Sequence, residues 1–263
     1  MNFIKHKGFT LLEVAIVLLI VGLLLSGGVH LLSTSSQVAK YKETQQTMQE
    51  IKEALIGLYI NKRFLPCPDT DNPPDGFGNY ADASGTGSSS PRWSEASGTA
   101  TNLSCAHPLR GWLPYNDIGI GGRGDAFGEP IKYVVNATAF TSAATHGFCT
   151  SYQRGTDTTR IMIQDLSMPP STAKTIGDWA AFALVSTGKN GRQTNAGMSG
   201  AFTQEGGCLS VDVREQENCD ADNVLRYGNV MSDGSMVSFD DSVVWVSDMQ
   251  LISQLRRVGW CAH

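Results

Sequence analysis

The chain has 263 residues, 41% of them hydrophobic and 17% charged, with a formal net charge of -5 at pH 7. That length suits one substantial domain with an appended segment. An acidic balance with sparse lysine and arginine excludes a basic nucleic-acid footprint, so no direct nucleic-acid partner is expected. Residues 1–8 carry Lys5 and Lys7 and end in Gly8. From Phe9 to Leu32 the chain is almost continuously apolar. About 20 such residues cross a bilayer core as a helix, the state that satisfies the backbone without water. The leading lysines favour a cytoplasmic N-terminus, which puts everything after Leu32 outside the cytoplasm. The run outlasts the core of an ordinary secretory signal, and no Ala-x-Ala site follows it. Glu13 is its one carboxylate. Ionised groups in hydrocarbon are costly, so Glu13 is expected to have a partner in the working state.

Residues 33–63 contain no proline and continue the helix. Val38, Tyr41, Met48, Ile51, Leu55 and Tyr59 recur at spacings of three, four or seven and predict one apolar face. Pro66 and Pro68 stop the helix soon afterwards. Residues 64–263 form the head. Ser84 to Thr101 reads as a surface loop rich in glycine, serine and threonine. Strands are predicted at Ile131–Val135, Arg160–Ile163, Trp179–Ser186, Leu209–Val213, Met236–Phe239 and Val243–Val246. Asp233-Gly234 gives a tight turn between Asn229-Val230-Met231 and Met236-Val237. Ser247 is placed to cap a last helix with Gln250, whose apolar face is Leu251, Ile252 and Leu255. The expected fold class is α+β, a long N-terminal helix against an antiparallel sheet.

Lys7-Gly8-Phe9-Thr10-Leu11-Leu12-Glu13 followed by the apolar run resembles the N-terminal signal of type IV pilins and type II secretion pseudopilins. Three later passages agree in kind and order with pseudopilin heads: Asp125 to Tyr133, Phe182 to Gly191, and Asp240 to Trp245. Large insertions separate them, notably between Gly191 and Phe239. The resemblance implies a lollipop plan: leader 1–8, membrane and assembly half 9–32, amphipathic half 33–63, and a globular head 64–263. It also implies cleavage after Gly8 by a membrane prepilin peptidase that methylates Phe9. Glu13 would then neutralise the terminal amine of Phe9, in its own subunit or a neighbour. The implied partners are that peptidase, other pilin or pseudopilin subunits, the lipid bilayer, and an inner-membrane platform driven by a separate ATPase. The implied location is the inner membrane, single-pass with a periplasmic head, and then the filament.

All six cysteines, Cys67, Cys105, Cys149, Cys208, Cys219 and Cys261, follow the apolar run. An even set outside the cytoplasm points to disulfides. The expected pairs are Cys67–Cys105, Cys208–Cys219 and Cys149–Cys261. No Cys-x-x-Cys pair or histidine spacing suggests zinc. Gly119 to Gly124 lacks the Gly-Lys-Ser/Thr ending of a phosphate loop, and no Gly-x-Ser-x-Gly elbow is present, so no catalytic role is expected. In major pseudopilins a loop at the late aspartate passage binds calcium, and Asp240 and Asp241 match it. Lys189 stands where those proteins often carry an acid, which weighs toward capping and turn roles. The expectation is no cofactor, with calcium at Asp240 and Asp241 as the open alternative. The readings that follow are a structural filament subunit of the minor kind, a pilus-borne adhesin, or an envelope protein on an uncleaved anchor.

Overall fold

The computed structural model describes residues 10–62, 64–71, 73–81, 104–105, 109–122, 124–136, 160–191, 212–220, 222–228 and 239–259, with side chains of 24–35 outside the description. The chain divides into two compact units, Met1–Lys42 and Glu43–His263. Helix α1 covers Leu11–Lys62. Thr10 caps it: its hydroxyl accepts the Glu13 N–H at 3.2 Å, and its carbonyl accepts the Val14 N–H at 3.2 Å. In the first unit Leu11 is 89% exposed and Val38 51% exposed.

In the second unit Thr44, Met48, Ile51, Leu55 and Tyr59 are buried. Spacings of three and four put them on one face of α1. Along the predicted stripe Val38 is exposed, Tyr41 half-buried and Met48 the first buried residue; Thr44, which the stripe did not include, is buried on the same face. Pro66 and Pro68 follow the helix end, as their missing N–H groups require.

The sheet is built from β3 (Arg110–Trp112), β4 (Lys132–Val135), β5 (Ile161–Gln164), β6 (Thr175–Ser186), β7 (Val224–Arg226) and β8 (Ser242–Ser247). A separate ladder joins β1 (Tyr80–Ala81) to β2 (Ser104–Cys105), and a one-turn helix, α2 (Tyr115–Ile118), follows β3. The main order is β3-β4-β6-β5-β7, and β8 also pairs with β6. The expected strands in 131–135, 160–163, 179–186 and 243–246 are present. The sheet is mixed where an antiparallel one was expected, because β7 runs parallel to β5. Three-residue β7 carries too little alternation to show in sequence. A second correction concerns Leu209–Val213: Asp212 accepts the Arg214 N–H and caps a short helix, α3 (Val213–Glu217). Residues 209–211 lie outside the described residues, as do Ser84–Thr101, the 229–237 hairpin and all of Met236–Phe239 except Phe239.

Side chains alternate across the strands. Tyr133, Val135, Phe182, Leu184, Val244 and Val246 pack with Met48, Ile51, Leu55 and Tyr59 of α1. Val134, Ala183, Val185, Val243, Ile161, Ile163 and Leu225 form the core of the other face. Helix α4 (Asp248–Arg257) follows β8, and Ser247 accepts the Gln250 N–H at 3.2 Å as the sequence predicts. Leu251 and Leu255 of α4 are buried, and Ile252 packs against the same cluster.

Candidate functional site: the N-terminal segment and a buried charge cluster

The first candidate is the start of α1. The Thr10 cap sets Glu13 in the first helical turn, where the partial positive charge of free N–H groups favours a carboxylate. Leu11, Leu12, Ile16, Leu19 and Leu23 are all exposed. The segment thus offers apolar side chains with one acid at its head, a surface suited to lipid or to a like helix.

The second candidate lies on the sheet face away from α1. Lys132, Val185 and Val243 stand side by side on β4, β6 and β8. Asp241 precedes Val243 by two residues, so strand alternation puts it on the Lys132 side. Ligand oxygens of Glu215, Asp240 and Asp241 all lie within 4.8 Å of one another. Asp240 donates its N–H to Glu215 Oε1 at 3.0 Å, and its Oδ2 accepts the Lys189 N–H at 3.0 Å. Asn218 donates its amide to Asp241 Oδ2 at 2.9 Å, while its own oxygen accepts the Arg226 N–H at 2.7 Å. Asp241 Oδ1 is buried without a hydrogen-bond partner. Burial above all, then the nearby charge of Glu215, pushes the Asp241 carboxyl well above its ordinary value. Burial lowers the Lys132 ammonium to about 8, against the upward pull of Asp241 and Asp220.

Calcium can be tested against this donor set. It takes six to eight oxygens, and three carboxylates converge. Three of their oxygens are already held by Asp240, Lys189 and Asn218 donors. A lysine of 0% exposure also brings positive charge close to Asp241. The engaged oxygens and the nearby ammonium weigh against the ion at this place. Two further acidic groups, Asp69-Asp71-Asp75 and Glu217-Asp220-Asp222, also converge. In the former both Asp69 oxygens accept backbone N–H groups, from Asp71 and Gly76. Beside the latter, Arg226 pairs with Glu217 at 3.2 Å and Arg110 donates to the Asp222 carbonyl.

Residues 4–29 match the prokaryotic N-terminal methylation motif. This is the type IV pilin and pseudopilin signal, and it implies a membrane-anchored, pilus-assembled protein processed by a prepilin peptidase. Proteins with the motif are structural subunits, not enzymes. No curated protein and no solved structure matches the chain. Among the described residues no helix is long and apolar enough to cross a membrane.

Gly8 and Phe9 of the methylation motif lie outside the described residues; Glu13 lies at the capped helix start. Cys67 and Cys105 are bonded to each other, as expected. Cys219 is also disulfide-bonded, and Cys149, Cys208 and Cys261 lie outside the described residues. Asp240 and Asp241, consecutive in sequence, lie with Glu215, Asn218 and Lys132, which the sequence did not single out as a site. The available signal was Lys132 itself, a charge inside the apolar run Ile131–Val135.

Proposed function

We propose that the chain is a structural subunit, of the minor and tip-proximal kind, of a type IV pilus or type II secretion pseudopilus. It enters the inner membrane with its head in the periplasm, is cut after Gly8 and methylated at Phe9, and is then extracted into a helical bundle. An inner-membrane platform and a separate ATPase supply the work. Glu13 pairs with the terminal amine of Phe9 and so draws each subunit into register. The observation that carries this reading is the methylation motif at residues 4–29 with Glu13 behind its glycine. The exposed apolar side chains of Leu11 to Leu23 support it, since a lone soluble helix rarely displays such a surface. The insertions of the head, with α3 and β7 inside the longer one, support the minor assignment: they add bulk that a closely repeated shaft subunit would have to accommodate at every step.

Mass spectrometry of the native N-terminus tests the proposal. The expected species begins at methylated Phe9. Retention of Met1 in assembled material would overturn it and leave the uncleaved-anchor reading.

A further inference from the structure

The cluster on the outer sheet face raises a question of charge balance. Glu215, Asp240 and Asp241 are 1%, 5% and 2% exposed, and a metal ion is the usual means of holding three such acids together. The strand register brings something else to the place. Lys132 is 0% exposed and lies level with Val185 and Val243, two residues from Asp241 on the same face. The segment 212–220 closes over that face with Glu215 and Asn218, and β7 follows it. Hydrogen bonds complete the arrangement: Asn218 links Asp241 to the Arg226 backbone, and the Asp240 backbone links to Glu215.

We propose that Lys132 is the resident cation of the Glu215-Asp240-Asp241 cluster, standing where a bound divalent ion would otherwise be needed, so that the inserted segment 212–228 is fastened to the sheet by an internal ammonium. The protein then needs no calcium to hold its head together, and it assembles independently of the divalent-ion level outside the cytoplasm. Removing one member of a buried ionic group is strongly destabilising because the remaining charges lose their compensation. Burial pushes the Asp241 carboxyl up and the Lys132 ammonium down, and the attraction between the two opposes both shifts.

Thermal unfolding of the full-length chain in detergent, in chelator and in millimolar calcium chloride, tests this. The wild-type midpoint is expected to be the same in both. A calcium-dependent rise of several degrees would overturn the proposal. Lys132→Met in chelator is expected to melt about 10 °C lower. Adding Asp241→Asn to that background is expected to restore at least half of the loss, because it removes the charge left uncompensated. An unchanged midpoint for Lys132→Met would overturn the proposal, as would additive losses in the double variant. If Lys132→Met does not fold, recovery of a cooperative transition in the double variant supports the proposal and its absence counts against it. None of these readings depends on filament assembly, so they stand or fall apart from the N-terminal assignment.

Discussion

Ser186 donates its hydroxyl to Asp125 Oδ2 across 2.6 Å, joining residues 61 apart in sequence. The other oxygen of Asp125 accepts the N–H groups of Phe127 and Glu129, both at 2.9 Å. Ala126 in turn donates its N–H to Thr44 Oγ1 on α1 at 3.1 Å. One short turn is thus tied to the sheet and to the helix. Asp125→Ala leaves three buried donors without their acceptor and is expected to cost about 3 kcal/mol, against about 1 kcal/mol for Ser186→Ala. Chemical denaturation of both variants decides it; equal losses would mean that the carboxylate is not the hub.

Two glycines separate backbone conformation from available space. Gly119 and Gly188 have φ of 77° and 60°, both in the left-handed region. A Cβ on Gly119 would meet nothing within 4 Å, whereas on Gly188 it would lie 2.5 Å from the Asp240 carbonyl oxygen. Gly119→Ala should therefore cost only the conformational penalty, about 1–2 kcal/mol. Gly188→Ala should cost clearly more, since the backbone beside the charge cluster must move. Similar unfolding midpoints for the two variants would contradict this.

Asp117 gives a pH dependence with a defined sign. Its carboxyl is raised to about 6, chiefly by burial, although it accepts the Gly78 N–H at 2.9 Å and lies 3.2 Å from the Tyr80 hydroxyl. Its unfolded value is about 3.9. The folded state therefore binds this proton more tightly. The stabilisation is complete below about pH 4 and is lost as pH rises through about 6. Asp117→Asn removes that titration. Thermal midpoints of wild type and variant, followed from about pH 4 to about pH 7, should show wild type losing ground as pH rises. A difference that stays flat, or grows the other way, would refute the assignment.

The sequence made the inner architecture readable where periodicity was long. Met48, Ile51, Leu55 and Tyr59 announced the buried face of α1, and the apolar run within Trp179–Ser186 announced the central strand. Ser247 and Gln250 were legible because capping is a local matter of two residues. Arg110–Trp112 and Val224–Arg226 were not, since three residues show no period and their pairing is fixed by partners far along the chain. The charge cluster escaped for a related reason. Asp240 and Asp241 were visible as a doublet, but Glu215 and Asn218 reach them only through the fold of an insertion, and Lys132 was masked by its apolar neighbours.

Glu13 is the residue on which assembly should turn. On the proposed reading its partner is the terminal amine of Phe9, in its own subunit or a neighbour, and lies outside the head. Glu13→Ala is expected to lower the fraction of protein found in filaments at least about tenfold, as the loss of a little over one kcal/mol per docking step would do. The same variant should leave the thermal midpoint of the head where it was. Quantitative immunoblotting of sheared filaments against membranes measures the first effect. Unchanged incorporation would sink the assembly role.

Strand β6 pairs with β4, β5 and β8, which start at Lys132 and end at Ser247. Its partners therefore arrive over more than a hundred positions of synthesis, and the last of them is β8. Non-local pairing of this kind is slow to form. A nascent polypeptide released before Ser242 would lack β8 and leave bare the Ala180–Ser186 edge that β8 covers, a state open to proteolysis and misassociation. Synthesis of β8 is in this way a precondition for a closed sheet, and a product truncated before it would be recognisable by that naked edge.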